Sequence, residues 1–241
     1  MIEINCDLGE GESRQHTEAL MRHLDAANIA CGGHAGDDES MAACLDLARK
    51  KGVQSGAHPG FPDRAHFGRE VPRDFGSMEL RELLDHQVGR LATIARDLGT
   101  AVRHIKLHGA LYHLVDHDVR LGTAYLDHIA RRWPRLTIMA RSGGDISRRA
   151  GLFGLRVLAE GFLDRAYRND GTLLPRGEAG ALLEDPSEVV RRCQLLLDQG
   201  GWPSVDGTWI PMAAETLCIH GDSPGALRML EKIRETFPRR P

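Results

Sequence analysis

Short apolar runs alternate with longer amphipathic segments along this chain of 241 residues. The pattern predicts seven β-strands, at Ile2–Asp7, Asn28–Cys31, Val53–His58, Val102–His108, Leu136–Ala140, Leu155–Glu160 and Thr216–His220. Strands that alternate with helices are typical of a parallel sheet with crossover helices. The length is close to the roughly 250 residues of one β/α barrel. We therefore predict the α/β class and one seven-stranded (β/α) barrel domain over residues 1–241.

The predicted helices carry recognisable end signals. Asp37 can cap one helix, which ends in basic residues before Gly52, so both ends match the helix dipole. Ser77 opens a longer helix with an apolar stripe at helical spacing. Asp185-Pro186 marks the start of another helix, and Ser223-Pro224 the start of the last.

Two stretches do not fit a bare barrel. Pro59–Gly76 is rich in Gly, Pro and Arg, and long loops of this kind often form part of a functional site. Ser204–Trp209 contains an Asp-Gly pair, which is a hairpin signal. It predicts a β-excursion before the seventh strand.

Polar residues occupy one face of several predicted strands. Because side chains alternate across a strand, Asn5 and Asp7 share one face, and the apolar residues share the other. The outer face of a barrel packs on helices, so we expect the polar faces to line the lumen. Four residues at carboxyl ends of strands should then converge at one mouth: Asp7, His58, His108 and His220. His34 can lean in from the loop after its strand.

This convergence suggests two kinds of chemistry, because an inward polar row is costly unless it is hydrogen-bonded, metal-bound or hydrated. An Asp with two or more neutral imidazoles commonly holds a divalent metal, so Asp7, His58 and His108 are candidate ligands. The spacing is not diagnostic of a metal site. Without a metal, Asp7 or Glu10 can take a proton from water, and a histidine can protonate a leaving nitrogen. Both alternatives stay open.

Cationic side chains near these runs are candidate clamps for a substrate carboxylate or phosphate: Arg69, Lys106, Arg165 and Arg176. His34 is a further substrate-binding candidate. For each cation, the alternative is an ordinary ion pair within the protein.

Composition narrows the class of protein. The net charge of −3 gives no electrostatic reason to expect nucleic acid or an anionic membrane as a partner. No apolar run approaches the roughly 18 residues of a membrane span, and Met1–Asn5 does not resemble a signal peptide, so we expect a cytoplasmic protein.

The five cysteines form no C-x-x-C pair, which argues against a disulfide framework and a zinc-thiolate site. There is no P-loop, so any use of ATP needs another kind of site or a partner protein.

Six glycine-punctuated runs, spread from Asn5 to Asp222, resemble the LamB/YcsF family over nearly the whole chain. The most specific runs are N-I-A-C-G-G-H-A-G-D from Asn28, G-A-H-P-G from Gly56 and D-R-A-Y from Asp164. Minor departures occur at Cys6, Gly33 and Leu107, where the family usually has alanine, phenylalanine and proline, and in a shorter segment after Glu12.

The resemblance implies an A-type component of an ATP-hydrolysing 5-oxoprolinase. Such an enzyme opens the lactam of 5-oxo-L-proline to L-glutamate, with ATP as co-substrate, in a complex with subunits B and C. The implied fold is a seven-stranded barrel similar to the glycoside hydrolase and deacetylase group. Two alternatives are a stand-alone metal-dependent deacetylase or amidohydrolase, and a non-catalytic lactam-binding subunit.

We hypothesise that B and C help to activate the lactam, while this barrel mouth binds it and directs ring opening. Asp7 and His58 would handle the water, and His108 and His220 the ring nitrogen or phosphate. An arginine would hold the substrate carboxylate.

Overall fold

A closed barrel of parallel strands forms the centre of the molecule. The computed structural model describes residues 3–239. The seven barrel strands are β1 (Glu3–Leu8), β2 (Ala26–Ala30), β3 (Gln54–His58), β4 (His104–Lys106), β5 (Thr137–Arg141), β6 (Val157–Phe162) and β9 (Thr216–Cys218). They follow one another around the barrel in chain order, and β9 closes it against β1. The predicted barrel is confirmed; Ile2, in the first predicted strand, lies outside the described residues.

Helices surround this barrel. They are α1 (Arg14–Met21), α2 (Asp38–Lys51), α3 (Ser77–Asp97), α4 (Gly109–His117), α5 (Val119–Arg132), α6 (Asp145–Arg149), α7 (Pro186–Gln199) and α8 (Ala226–Thr236). The predicted β-excursion is an antiparallel hairpin of β7 (Gly201–Pro203) and β8 (Trp209–Pro211). Within residues 3–239, no helix combines the length and the apolar character that crossing a bilayer requires.

Most helix ends match their sequence signals. Asp37 accepts the Ser40 amide at the start of α2, and Gly52 ends that helix in the left-handed region at φ 65°. The last helix is an exception, because α8 begins at Ala226 and not at Ser223-Pro224. The Ser223 hydroxyl donates instead to the buried carboxylate of Asp164. Because the Ser223 hydroxyl binds Asp164, it does not cap the helix.

The strand faces sort as parity predicts. Ile4, Cys6 and Leu8 are fully buried in the apolar layer between barrel and helices. Asn5 points the other way, into the lumen, where its amide donates to Thr216 Oγ1 at 2.9 Å. The predicted loop at residues 59–76 contains no helix or strand before α3, and it supplies a backbone contact to the site described below.

Candidate active site at the barrel mouth

A buried lysine occupies the middle of the lumen. Lys106 Nζ lies 2.9 Å from Asp7 Oδ1, 2.9 Å from Glu160 Oε1 and 3.0 Å from Cys218 Sγ. The Tyr112 hydroxyl donates to the other Glu160 oxygen at 3.0 Å. Burial opposes the charge on Lys106, yet the Asp7 carboxylate, with Cys218 and Glu160, holds its pKa well above the ordinary value. The ammonium is thus committed to partners within the protein.

A second layer of hydrogen bonds surrounds this lysine. Asn28 Nδ2 donates to Asn5 Oδ1 and Asp7 Oδ1, both at 2.8 Å, and Asn28 Oδ1 lies 2.8 Å from His104 Nε2. The His104 ring passes so close to β3 that a Cβ on Gly56 would lie 2.0 Å from it, so glycine is required there. We call this network the lumen floor: Asn5, Asn28, His104, Lys106 and Glu160.

Above the floor, one carboxylate and three imidazoles form a compact group, the histidine cluster: Glu10, His34, His58 and His108. Their potential ligand atoms all lie within 4.8 Å of one another. Glu10 Oε1 is 2.9 Å from His34 Nε2, 3.3 Å from His108 Nδ1 and 3.7 Å from His58 Nε2. The four residues come from the ends of β1 to β4 and the loops after them. The structure therefore brings these sequence-predicted residues together.

His58 and His108 each turn one ring nitrogen toward the other ring. His58 Nδ1 lies 2.8 Å from the Lys106 carbonyl and His108 Nε2 lies 2.9 Å from the Phe67 carbonyl, so each of these nitrogens must carry a hydrogen. The remaining nitrogens, His58 Nε2 and His108 Nδ1, are 3.0 Å apart. If both rings were neutral, each of these two nitrogens would carry a lone pair and no hydrogen. The contact therefore requires a proton or a cation between them.

Of the two facing rings, the surroundings favour the charged form of His58. Burial disfavours its charged form, but the Asp7 carboxylate, 3.4 Å away, raises the pKa of His58 above its ordinary value. Burial instead lowers the pKa of His108 and lowers that of His34 to about 4. Although burial opposes ionisation of Asp7, His58 and Lys106 hold the pKa of that carboxyl well below its usual range.

A divalent cation in place of the proton would also fit this donor set. Imidazole nitrogens and carboxylate oxygens are ordinary ligands for Zn²⁺, Mn²⁺ and Fe²⁺. His34 Nδ1 is buried and has no hydrogen-bond partner among residues 3–239, so one more acceptor is available nearby. Of the predicted ligands, His58 and His108 thus join Glu10 and His34 in this group, whereas Asp7 falls in a second group with Cys218 and His220.

The fourth predicted histidine lies on the other side of the mouth. His220 Nδ1 is 3.0 Å from both oxygens of Asp164, which also accepts the His220 amide at 3.0 Å. Burial opposes ionisation of this carboxyl, but His220 and the Ser223 hydroxyl lower the pKa of Asp164 to about 2. The His220 ring stacks on Phe162, with 5.5 Å between centroids. This carboxylate fixes the orientation of the imidazole and places a hydrogen on its Nδ1.

The candidate cationic clamps occupy different depths. Lys106 lies in the floor, whereas Arg69 and Arg176 lie at the rim, where both pair with Asp222. Arg165 is only 6% exposed and donates through Nη2 to the Leu174 carbonyl. Its Nε is buried without a partner in the described part of the chain. The substrate-binding roles of Arg69, Lys106 and Arg165 stay predictions.

Several residues that shape the site were absent from the sequence-based candidates. Asn28 and Glu160 lie on the lumen-facing parity of their strands, so the alternation that identified Asp7 also applied to them. Asp164 belongs to the D-R-A-Y motif, although nothing in the motif indicates its partner His220. Glu12 accepts the Gly9 and Glu10 amides at 2.6 and 2.8 Å, a loop contact without a sequence signal.

One departure from the family pattern has a structural explanation. A Cβ on Gly33 would lie 2.5 Å from Gln87 Nε2 and 2.6 Å from the Gly60 carbonyl oxygen. The Gln87 amide bridges the backbone of Gly60, accepting its N–H at 3.1 Å and donating to its carbonyl at 2.7 Å. A larger residue at position 33 thus requires a different arrangement of Gln87.

Comparisons with known proteins agree with this architecture. A sequence model of the LamB/YcsF family matches residues 2–240. The A component of the 5-oxoprolinase of Pyrococcus abyssi is 38% identical over 237 residues, which is 97% of this chain and 92% of that protein. Its counterpart from Heliobacterium modesticaldum is 41% identical over 239 residues, covering 98% and 94%. The crystal structure of a lactam utilization protein from Thermus thermophilus has a TM-score of 0.88 at 32% identity, covering 98% and 96%.

Proposed function

This chain belongs to the LamB/YcsF family, and we propose that it is the lactam-binding and ring-opening component of an ATP-dependent 5-oxoprolinase. Its substrate is 5-oxo-L-proline, its product L-glutamate, and its partners are subunits B and C. The observation that carries the proposal is the pair of facing nitrogens, His58 Nε2 and His108 Nδ1, 3.0 Å apart beside two carboxylates. Such a group binds and activates water or a polarised carbonyl.

ATP makes the reaction feasible, because a five-membered lactam is a poor electrophile. Phosphorylation of the carbonyl oxygen, assisted by B and C, releases ADP and turns that oxygen into a leaving group. One water then adds to the ring carbon, and the C–N bond breaks as the nitrogen takes a proton. A second water hydrolyses the resulting acyl phosphate to L-glutamate and phosphate.

The two sides of the mouth divide this work. Asp7 and His58 hold the attacking water. The Asp7 carboxylate, whose pKa lies well below its usual range, is 3.4 Å from the His58 ring. His220, oriented by Asp164, delivers a proton to the ring nitrogen. His108 contacts either the phosphate or the ring nitrogen.

Arg165 is the arginine best suited to hold the substrate carboxylate. A buried charge is costly unless it is paired, and no carboxylate pairs with Arg165 within residues 3–239. Arg192 provides the contrast, since it is equally buried but its Nε lies 3.7 Å from a Glu188 carboxylate oxygen. Arg165 has no such carboxylate within the same residues, and a substrate carboxylate would provide one.

The test is glutamate formation from 5-oxo-L-proline and ATP, with B and C present, and with or without this chain. Activity should require the chain. Asp7→Asn and His108→Ala should each reduce it at least about 100-fold, the lower range for loss of an acid–base group. His128→Ala is the matched control, because His128 pairs with Asp85 outside the site. Unchanged activity in both site variants would contradict the assignment.

A stand-alone metal-dependent amidohydrolase is the second candidate, and the acceptor set of the histidine cluster favours it. Glu10, His34, His58 and His108 would hold the ion, which would supply Lewis-acid polarisation of the carbonyl and an activated water. Elemental analysis of the purified chain decides between the two. A stoichiometric transition metal together with ATP-independent amide hydrolysis would favour the second candidate.

A further inference from the structure

One carboxylate joins two loops across the rim of the mouth. Asp222, in the loop after β9, lies 2.9 Å from Arg69 Nη2 and 3.2 Å from Arg176 Nη1. Arg69 belongs to the loop after β3, and Arg176 to the loop after β6. Two guanidinium groups that are distant in sequence thus converge on one carboxylate, two residues beyond His220.

This rim contact is coupled to the histidine cluster through Phe67. The Arg69 guanidinium lies 4.9 Å from the Phe67 ring centroid. That ring packs edge-on against His34 and His108, at 5.4 and 5.1 Å between centroids, and the Phe67 carbonyl accepts from His108 Nε2. Phe67 has a φ of 55°, a left-handed conformation that a bulky residue adopts only under constraint. Phe67 therefore contacts both Arg69 and His108.

We propose that Arg69 and Arg176 form an oxyanion subsite at the rim, and that Asp222 is an internal carboxylate that an incoming carboxylate or phosphoryl group replaces. Arginine forks bind both kinds of group, with similar geometry. The side chains of Arg69, Arg176 and Asp222 are 46%, 24% and 33% exposed, so solvent and ligands can reach them. The identity of the anion rests on the proposed function, whose substrate carries a carboxylate and whose co-substrate supplies a phosphoryl group.

If an incoming anion replaces Asp222 on the two arginines, a substitution of Asp222 should affect anion binding in a way that a purely structural ion pair would not. If Asp222 competes with the ligand for the two arginines, then neutralising Asp222 strengthens anion binding. If Asp222 only fixes the loops, the same change weakens binding or leaves it unaltered. Because exposed ion pairs contribute little, we expect Asp222→Asn to tighten binding by roughly two- to fivefold.

The experiment is calorimetric titration of the full chain with two separate probes, inorganic phosphate and 5-oxo-L-proline. Arg69→Gln and Arg176→Gln should each weaken binding of at least one probe by roughly tenfold, as expected for loss of a charge-assisted contact. Asp222→Asn should tighten binding of the same probe. Glu70→Gln is the charge-matched control, because Glu70 is exposed in the same loop and pairs with neither arginine. It should change affinity less than about twofold, since an exposed carboxylate that pairs with neither arginine contributes little.

The probe that responds identifies the ligand group as a carboxylate or a phosphoryl. The proposal is overturned if neither probe binds, if the arginine variants bind normally, or if Asp222→Asn fails to tighten binding beyond Glu70→Gln. Thermal unfolding of each variant checks that its fold is intact. Phosphate binding needs neither B, C nor turnover, so this subsite can hold even if His108→Ala leaves glutamate formation unchanged. Conversely, if only the rim titrations fail, the proposed function stands.

Discussion

The two sides of the barrel mouth use histidine in different ways. On one side, His58 and His108 donate to backbone carbonyls and turn their second nitrogens toward each other. On the other side, His220 donates to the Asp164 carboxylate. The carbonyl partners leave two imidazole nitrogens facing each other, where a proton or a cation is required, whereas the carboxylate partner fixes the orientation of a single ring. The side with His58 and His108 is therefore suited to hold water or a cation, and the side with His220 is suited to deliver a proton.

Both sides depend on the same buried cation. Lys106 pairs with Asp7 beneath the histidine cluster and with Glu160 and Cys218 toward β6 and β9. Its ammonium therefore contacts both buried carboxylates of the lumen. Loss of Lys106 should therefore affect both sides of the mouth, whereas the other substitutions below affect one side at a time.

The largest expected effect is on stability. Lys106→Met removes the cation and leaves Asp7 and Glu160 buried without it, so the free energy of unfolding should fall by about 3–5 kcal/mol. Urea unfolding measures the change. Lys50→Met, which breaks only an exposed pair with Asp46, should cost less than about 1 kcal/mol. Equal costs for the two variants would mean that Lys106 does not support the lumen.

The next effect concerns proton delivery alone. Asp164→Asn removes the carboxylate that orients His220, so kcat for glutamate formation should fall by about 10–100-fold, with a smaller change in KM. Ser223→Ala keeps that carboxylate and should reduce kcat far less. Steady-state kinetics of the reconstituted complex give both constants. An equal loss in the two variants would assign Asp164 a structural role only.

The effect that is smallest per pH unit appears in the pH dependence of stability. Burial, and then the charge of Lys106, lower the pKa of His104 to about 3, below its value of about 6.5 in the unfolded chain. The neutral ring therefore stabilises the fold above about pH 6.5, and this stability is lost as the pH falls toward 3, at up to about 1.4 kcal/mol per pH unit.

His104→Gln removes that titration. The difference in free energy of unfolding between the wild-type chain and this variant should therefore shrink as the pH falls below about 6.5. Urea unfolding at several pH values measures it. A difference that stays constant from neutral pH to about pH 5 would show that His104 does not titrate with folding.

Sequence reasoning succeeded where backbone geometry alone fixes side-chain direction. Strand alternation predicted that Asp7, His58 and His108 line one mouth, because alternation does not depend on the neighbouring elements. It failed where a loop residue finds a distant partner. Ser223 resembled a helix cap but donates to Asp164, 59 residues earlier in the chain. Loop contacts of this kind depend on the assembled barrel, so no local pattern reports them.

The most direct test of the mouth as the lactam site is ¹⁵N NMR of the histidine ring nitrogens during titration of the full chain with 5-oxo-L-proline. We expect His58, His108 and His220 to shift together and to saturate, because the lactam lies between the two sides. His128, which pairs with Asp85 outside the site, should not move. Saturable binding that leaves all three mouth histidines unshifted, or no saturable binding at all, would contradict the proposed site.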